Sequence, residues 1–310
     1  MIVHEGYKNP PPQIRGGAVA IGNFDGVHKG HQALIGEAMK AGRAKGHPVG
    51  VMIFEPHPRE FFHPEESHFE LTPLDQKLAV FKAMGLDFVV VVPFDEALAK
   101  LEHFEFVDDV LAQGLDVRHV VVGYDFYYGR QRRGSPESMI LAGIEYDFEV
   151  TVVPPVAEGG EVFSSTAIRL KLAQGDVEGA ALELGRRWRV RGRVVGGAKR
   201  GTGLGYPTAN VPMPKGTALG HGIYAVRAHV EGVAHHAAAY LGTRPTFDDG
   251  MPVLEVFLLD FDDDLYGKEM DVEFIAFIRG DRKFDSSEAL IQQMDQDVAK
   301  VRQVLKSAAL

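Results

Sequence analysis

Ala20-Ile-Gly-Asn-Phe-Asp-Gly-Val-His28-Lys-Gly-His31 runs from a short apolar stretch through a glycine-bearing turn into a helical pattern. Gly22, Gly26 and Gly30 let backbone N–H groups approach a phosphate, and the start of a helix adds the positive end of its dipole. His28 and His31 stand three apart, so both point to one side and can donate to the same anion. That arrangement suits negative charge developing on a phosphate in a transition state. Zinc is a second reading of two histidines at this spacing, but no third protein ligand is evident and the glycines would go unexplained. Two surface histidines in an ordinary turn are the third.

Working outward, Ala18–Gly22, Val49–Phe54, Phe88–Val92 and Val120–Val122 read as buried strands. Between them lie helical patterns such as His31–Gly46, with Leu34, Ile35, Ala38 and Met39 on one face. Thr72 and Pro73 read as an N-cap and first helical residue, with Gly85 as the stop. This alternation predicts an α/β fold with a parallel sheet, whose ligands sit at the carboxyl ends of the strands. After Gly185 the pattern changes to short alternating strands over Arg189–Val195, Tyr224–Val230, Val253–Leu259 and Asp271–Ile278. Their spacing predicts an antiparallel β-barrel. A last helix is expected to open at Asp285-Ser-Ser-Glu288, a capping box. Two domains are therefore expected, 1–183 and 184–310.

The 310 residues and 45% hydrophobic content support two packed cores and exclude a disordered chain. No apolar run nears the ~18 residues that span a bilayer. The N-terminus shows no secretory signal and there is no cysteine, so a cytoplasmic protein without disulfides, thiolate metal sites or thiol catalysis is expected. From residue 186 on, 17 Lys+Arg face 16 Asp+Glu; before it the balance is 16 against 27. Such an acidic chain is a poor general partner for nucleic acid, although Arg186–Arg200 holds seven basic residues and no acid.

The string Gly22-Asn-Phe-Asp-Gly-Val-His-Lys-Gly-His31 resembles bacterial bifunctional riboflavin kinase/FMN adenylyltransferases. Three further strings match that family in the same order: Phe54-Glu-Pro-His57-Pro-Arg-Glu-Phe-Phe62, Val122-Gly-Tyr-Asp125-Phe-Tyr-Tyr-Gly129 and Ser164-Ser-Thr166-Ala-Ile-Arg169. The resemblance implies a Rossmann-like nucleotidyltransferase domain. In it, Gly22, Asn23, Phe24, Asp25, Gly26 and Gly30 would hold ATP, and His28 and His31 would contact its phosphates. Ser165, Thr166 and Arg169 would form a second phosphate-binding element, and Asp125 would lie near the nucleotide. Phe54, His57 and Pro58 would line the FMN side. From pattern alone, Phe54 reads as core and His57 as part of a rigid Pro-flanked turn.

Gly196-Gly-Ala-Lys-Arg-Gly-Thr-Gly-Leu-Gly205 fits neither the P-loop nor the dinucleotide template, and a flexible linker is its plainest reading. Lys199 and Arg200, followed by Tyr206-Pro-Thr208-Ala-Asn210, point instead to a basic flap over phosphates beside two neutral oxygen ligands. The Pro-Thr-Ala-Asn string resembles riboflavin kinases, as does the remainder of 186–310. That likeness implies that Thr208 and Asn210 coordinate Mg²⁺, and that Glu255 accepts the proton of the ribityl 5′-hydroxyl. Gly197, Lys199, Arg200, Gly201, Tyr206 and Pro207 would bind ATP, and Arg279 and Phe284 would contact flavin. Glu255 sits in an apolar alternating stretch, where partial desolvation would make it more basic; a solvent-facing strand Glu is the alternative. Tyr240 stands where the family usually has Asn.

The resemblance thus implies two steps, riboflavin to FMN and FMN to FAD. ATP, riboflavin and FMN are the small-molecule substrates, and Mg²⁺ is the implied cofactor. The remaining expectations are a monomer or weak homo-oligomer and no nucleic-acid or membrane partner. The rival readings are a chain with only one of the two activities, and a flavin- or nucleic-acid-binding module built around Arg186–Arg200.

Overall fold

Six parallel strands form the first sheet: β1 (Ile2–Glu5), β2 (Ala18–Ile21), β3 (Val49–Glu55), β4 (Phe88–Pro93), β5 (His119–Gly123) and β6 (Glu149–Val153). Their order is β1-β4-β3-β2-β5-β6. Every residue of β2 is buried, as expected of a central strand covered on both faces. Ala18 and Ala20 face one core with Leu34, Ile35 and Ala38 of helix α1 (Lys29–Lys45); Val19 and Ile21 face the other with Met52, Val90 and Val120. Small residues let α1 lie close. A Cβ on Gly42 would come within 2.8 Å of the Ala18 Cβ, so glycine at that position sets the helix–sheet distance. The chain leaves β2 with β3 and β4 on one side and β5 and β6 on the other. The turn after β2 therefore opens at a topological switch point.

This computed structural model describes residues 1–66, 68–196, 206–213, 216–242 and 253–308. It divides into two units, Met1–Ser164 and Ser165–Leu310. The helices Ser165–Ala173 and Val177–Leu184 fall in the second unit.

The second unit is an antiparallel sheet of β9 (Arg189–Arg193), β10 (Ala209–Pro212), β11 (Gly222–Val230), β12 (Val233–Leu241), β13 (Val253–Leu258) and β14 (Glu269–Gly280). The order is β10-β13-β12-β11-β14-β9. Its two edges meet where the Val195 N–H donates to the Asn210 carbonyl at 2.9 Å, which nearly closes a barrel. The C-terminal helix Ser287–Ser307 packs Val301 and Leu305 on Ile275 and Ile278.

Two helix starts lie one residue later than the sequence predicts. Pro73, not Thr72, is the N-cap of α3 (Leu74–Ala83). Ser286, not Asp285, caps the last helix and accepts from the Ala289 N–H at 3.2 Å. Thr72 is instead buried beside the turn after β2, where its N–H donates to the Asp25 carboxylate. β1, β6, β10, β12 and the short antiparallel pair β7 (Ala157–Glu158) and β8 (Glu161–Val162) are additions to the predicted strands.

The carboxylate of Glu273 on β14 accepts from Arg189 at 2.7 Å and Arg227 at 3.4 Å. Burial pushes this carboxyl up, but Arg189, His229 and Arg227 outweigh it and hold it below its ordinary 4.5. A depressed carboxylate contributes stability that is complete above the ordinary value and is lost as pH falls below it. Thermal unfolding followed from pH 7 to pH 3 is therefore expected to drop more gently below about pH 4.5 in Glu273→Gln than in the parent chain.

Candidate active sites

The turn after β2 holds strained backbone where the sequence places phosphate chemistry. Phe24, Gly26 and Val27 have φ of 50°, 84° and 42°. Positive φ is unusual for a bulky side chain and more so for a β-branched one, and costs ~1–3 kcal/mol per residue. Burial compensates: Phe24 is 1% and Val27 0% exposed. The Phe24 ring meets Phe81 and His31 edge-on at 5.9 and 5.3 Å. Asp25 is buried as well, and accepts from the N–H groups of Leu71 (2.8 Å) and Thr72 (3.1 Å). Its carboxylate therefore ties the turn to the segment before α3.

His28 is the N-cap of α1. Its Nδ1 accepts from the His31 N–H at 3.3 Å, which leaves the proton of a neutral ring on Nε2. The His28 and His31 rings stack at 3.6 Å with their planes 20° apart. A Cβ on Gly30 would lie 3.0 Å from the His28 ring, so Gly30 makes room for the stack. Two imidazoles thus stand together at a helix start, above the carboxyl end of the sheet. Asp125 follows the end of β5, with its carboxylate turned back over Gly123.

Beyond β3, on the same edge, His57 caps the short helix α2 (Pro58–Phe62) by accepting from the Arg59 N–H at 3.1 Å. Phe54, Phe61 and Phe62 all meet Phe94, at 6.1, 5.3 and 5.7 Å. The result is an aromatic surface suited to a flat heteroaromatic ring. Phe94 escaped sequence reading because it lies just past β4, outside any matched string.

In the second unit, Ser165 and Thr166 occupy the first turn of the helix Ser165–Ala173, with Arg169 one turn on. On the barrel, direct cross-strand pairing sets Asn210 opposite Glu255, Glu255 opposite Tyr240, Tyr240 opposite Ile223, and Ile223 opposite Arg279. Residues paired in this way share one face. Leu254, Val256 and Leu258 fill the interior, while Glu255 is half-buried on the outer face beside Phe257. Thr208 immediately precedes β10.

The Arg279 guanidinium is held by Asp297 of the C-terminal helix at 2.7 Å and lies 5.8 Å from the Phe284 ring. What it presents beside Phe284 is thus a planar face whose charge already has a partner. Tyr206 donates to Asp295 of the same helix and packs against Phe257 at 5.1 Å; burial and that carboxylate push its phenol up to about 12. Pro207 is exposed. Gly197, Lys199, Arg200 and Gly201 lie outside the described residues.

Two family models match the chain, FAD synthetase over residues 11–167 and riboflavin kinase over 184–305. A Pseudomonas fluorescens bifunctional riboflavin kinase/FMN adenylyltransferase is 39% identical over 305 residues, covering 98% of each chain. The chain belongs to the bifunctional riboflavin kinase/FMN adenylyltransferase family. The Escherichia coli K12 member of this family is 39% identical over 291 residues, covering 93% of this chain and 92% of its own. A crystal structure from Streptococcus pneumoniae, described as a macrolide-efflux protein, superposes with a TM-score of 0.86. It is 31% identical and covers 97% of this chain and 99% of that one. Among the described residues no helix is long and apolar enough to cross a membrane. Within the bifunctional riboflavin kinase/FMN adenylyltransferase pattern, the first match takes in the His28–His31 turn and the aromatic surface. The second takes in the Asn210–Glu255 row.

Proposed function

We propose that the chain makes FAD from riboflavin in two ATP-dependent steps, run by the barrel and by the α/β domain, with the boundary between them at 183/184. The observation that carries this reading is that each family match covers its own formed site: the stacked histidines in one, the Asn210–Glu255 pair in the other.

In the kinase step, Glu255 takes the proton from the ribityl 5′-hydroxyl, whose oxygen attacks the γ-phosphorus of ATP and releases ADP. Thr208 and Asn210 offer the hydroxyl and amide oxygens that a hard divalent cation prefers, and these two residues would hold Mg²⁺ beside the nucleotide, so this donor set fits it. Bound there, Mg²⁺ would neutralise phosphate charge. Gly197, Lys199, Arg200, Gly201, Tyr206 and Pro207 are the proposed ATP side, and Arg279 and Phe284 the flavin side.

In the adenylyltransferase step, the FMN phosphate is already an anionic nucleophile and needs no base. Its oxygen attacks the α-phosphorus of a second ATP, and pyrophosphate leaves. His28 and His31 donate to the phosphates as charge builds, and the strained turn Gly22–Gly26 with Gly30 brings N–H groups close. Ser165, Thr166 and Arg169 supply hydroxyls and a guanidinium suited to the leaving pyrophosphate, and Asp125 lies on the nucleotide side. Phe54, His57 and Pro58, joined by Phe94, form the FMN wall.

The demand for ATP supports a cytoplasmic location, and a monomer or weak homo-oligomer is the proposed state of the protein. Its pI of 5.7 argues against a nucleic-acid partner. Incubation with riboflavin, ATP and Mg²⁺, with the flavins separated over time, is expected to show FMN rising and then giving way to FAD. FMN alone, with supplied FMN left unconverted, would remove the second step.

A further inference from the structure

Lys77 of α3 is 1% exposed, and neither proposed reaction uses it. Its Nζ lies 3.1 Å from a carboxylate oxygen of Glu55 and 2.8 Å from one of Glu70. Burial pulls this ammonium down, but the two carboxylates outweigh it and keep it charged. Burial pushes Glu70 up in turn. One cation held between two acids away from water is an expensive way to stabilise a fold, and apolar side chains of similar volume often do better.

What the triad joins explains its presence. Glu55 ends β3 and directly precedes the Pro56-His57-Pro58 stretch of the FMN wall. Glu70 belongs to the segment 68–72, which reaches both substrate sides. At one end the His68 ring lies 4.6 Å from the His57 ring. At the other, the N–H groups of Leu71 and Thr72 bind Asp25 of the phosphate turn. Lys77 therefore clamps the end of β3 to a segment that touches the flavin wall and the ATP turn together.

We infer that Lys77 is a positioning residue for adenylyl transfer, holding segment 68–72 against Glu55 so that the FMN wall and the ATP turn keep one spacing. This rests on the reading of the α/β unit as the adenylyltransferase.

The test uses the full chain. Lys77→Met alone leaves two partly buried carboxylates without their cation and risks unfolding, so the deciding variant is Lys77→Met with Glu70→Gln. Thermal unfolding and circular dichroism of the same preparation report the folding of the α/β unit, and riboflavin phosphorylation reports an intact barrel. In the folded double variant the KM values for FMN and for ATP in FAD formation are each expected to rise about tenfold, with kcat within about threefold and the kinase step unchanged. Unchanged KM values, or a fall in kcat alone, would overturn the inference and leave the triad merely structural. Should the double variant unfold, Glu70→Gln alone decides on the same criterion, since it loosens the segment while Lys77 keeps Glu55. Failure of the underlying reading looks different, because the unaltered chain would then not convert FMN to FAD at all.

Discussion

His28→Asn is expected to stop the pathway at FMN: riboflavin is phosphorylated at the parent rate, while conversion of FMN to FAD falls by about 10²–10³. Asparagine is chosen because it can still cap α1, where His28 accepts from the His31 N–H. Helix stability is thereby kept, and the imidazole that stacks on His31 at 3.6 Å is removed. The loss then reports on a donor aimed at phosphate rather than on a damaged helix start. His28→Ala removes both, so its melting temperature should drop by more than that of His28→Asn while the catalytic defect is similar. Chromatography of the flavins at fixed times reads the result. A folded Asn variant that makes FAD at the parent rate would take His28 off the phosphates.

Glu255→Gln is expected to do the reverse. FMN formation from riboflavin falls by about 10²–10⁴, and supplied FMN is still adenylylated. Glutamine has the shape of glutamate and keeps the cross-strand pairs with Asn210 and Tyr240, but it cannot take a proton at neutral pH. Its half-buried place on the outer face means that no buried charge is created or stranded, so folding is little affected. Residual kinase activity near the parent value would move the base elsewhere. Loss of both steps in a folded Glu255→Gln protein would show that the two sites are not independent.

The central strands of the first sheet were legible because residues buried on both faces must be apolar throughout, as in Ala18–Ile21 and Phe88–Val92. β1 was hidden because His4 and Glu5 sit on an edge strand with one side open, and β12 because Val233–Leu241 is mostly Ala and His. Both exist through their partners rather than their own propensities. The histidine turn stood out since its glycines and imidazoles are adjacent in sequence. The Asn210–Glu255–Tyr240–Ile223–Arg279 row did not, because register assembles it from five different strands. Lys77 was equally silent: a lysine on an amphipathic helix reads as exposed until Glu55 and Glu70 are placed around it.

Register also determines where this chain can change length. A single residue inserted into β10, β12 or β13 turns every later side chain of that strand to the opposite face, and would carry Asn210, Tyr240 or Glu255 out of its rung. The β11–β12 hairpin is the contrasting place. Its two-residue turn, Glu231–Gly232, has φ of 51° and 83° and lies seven residues along β11 from the rung at Ile223. Extra residues there lengthen a loop without shifting any pair between Ile223 and Tyr240. Insertions and deletions in the barrel are thus partitioned by position: forbidden across the rungs of the proposed kinase site, and admissible at the far hairpin, where a peptide tag or reporter sequence can be spliced in.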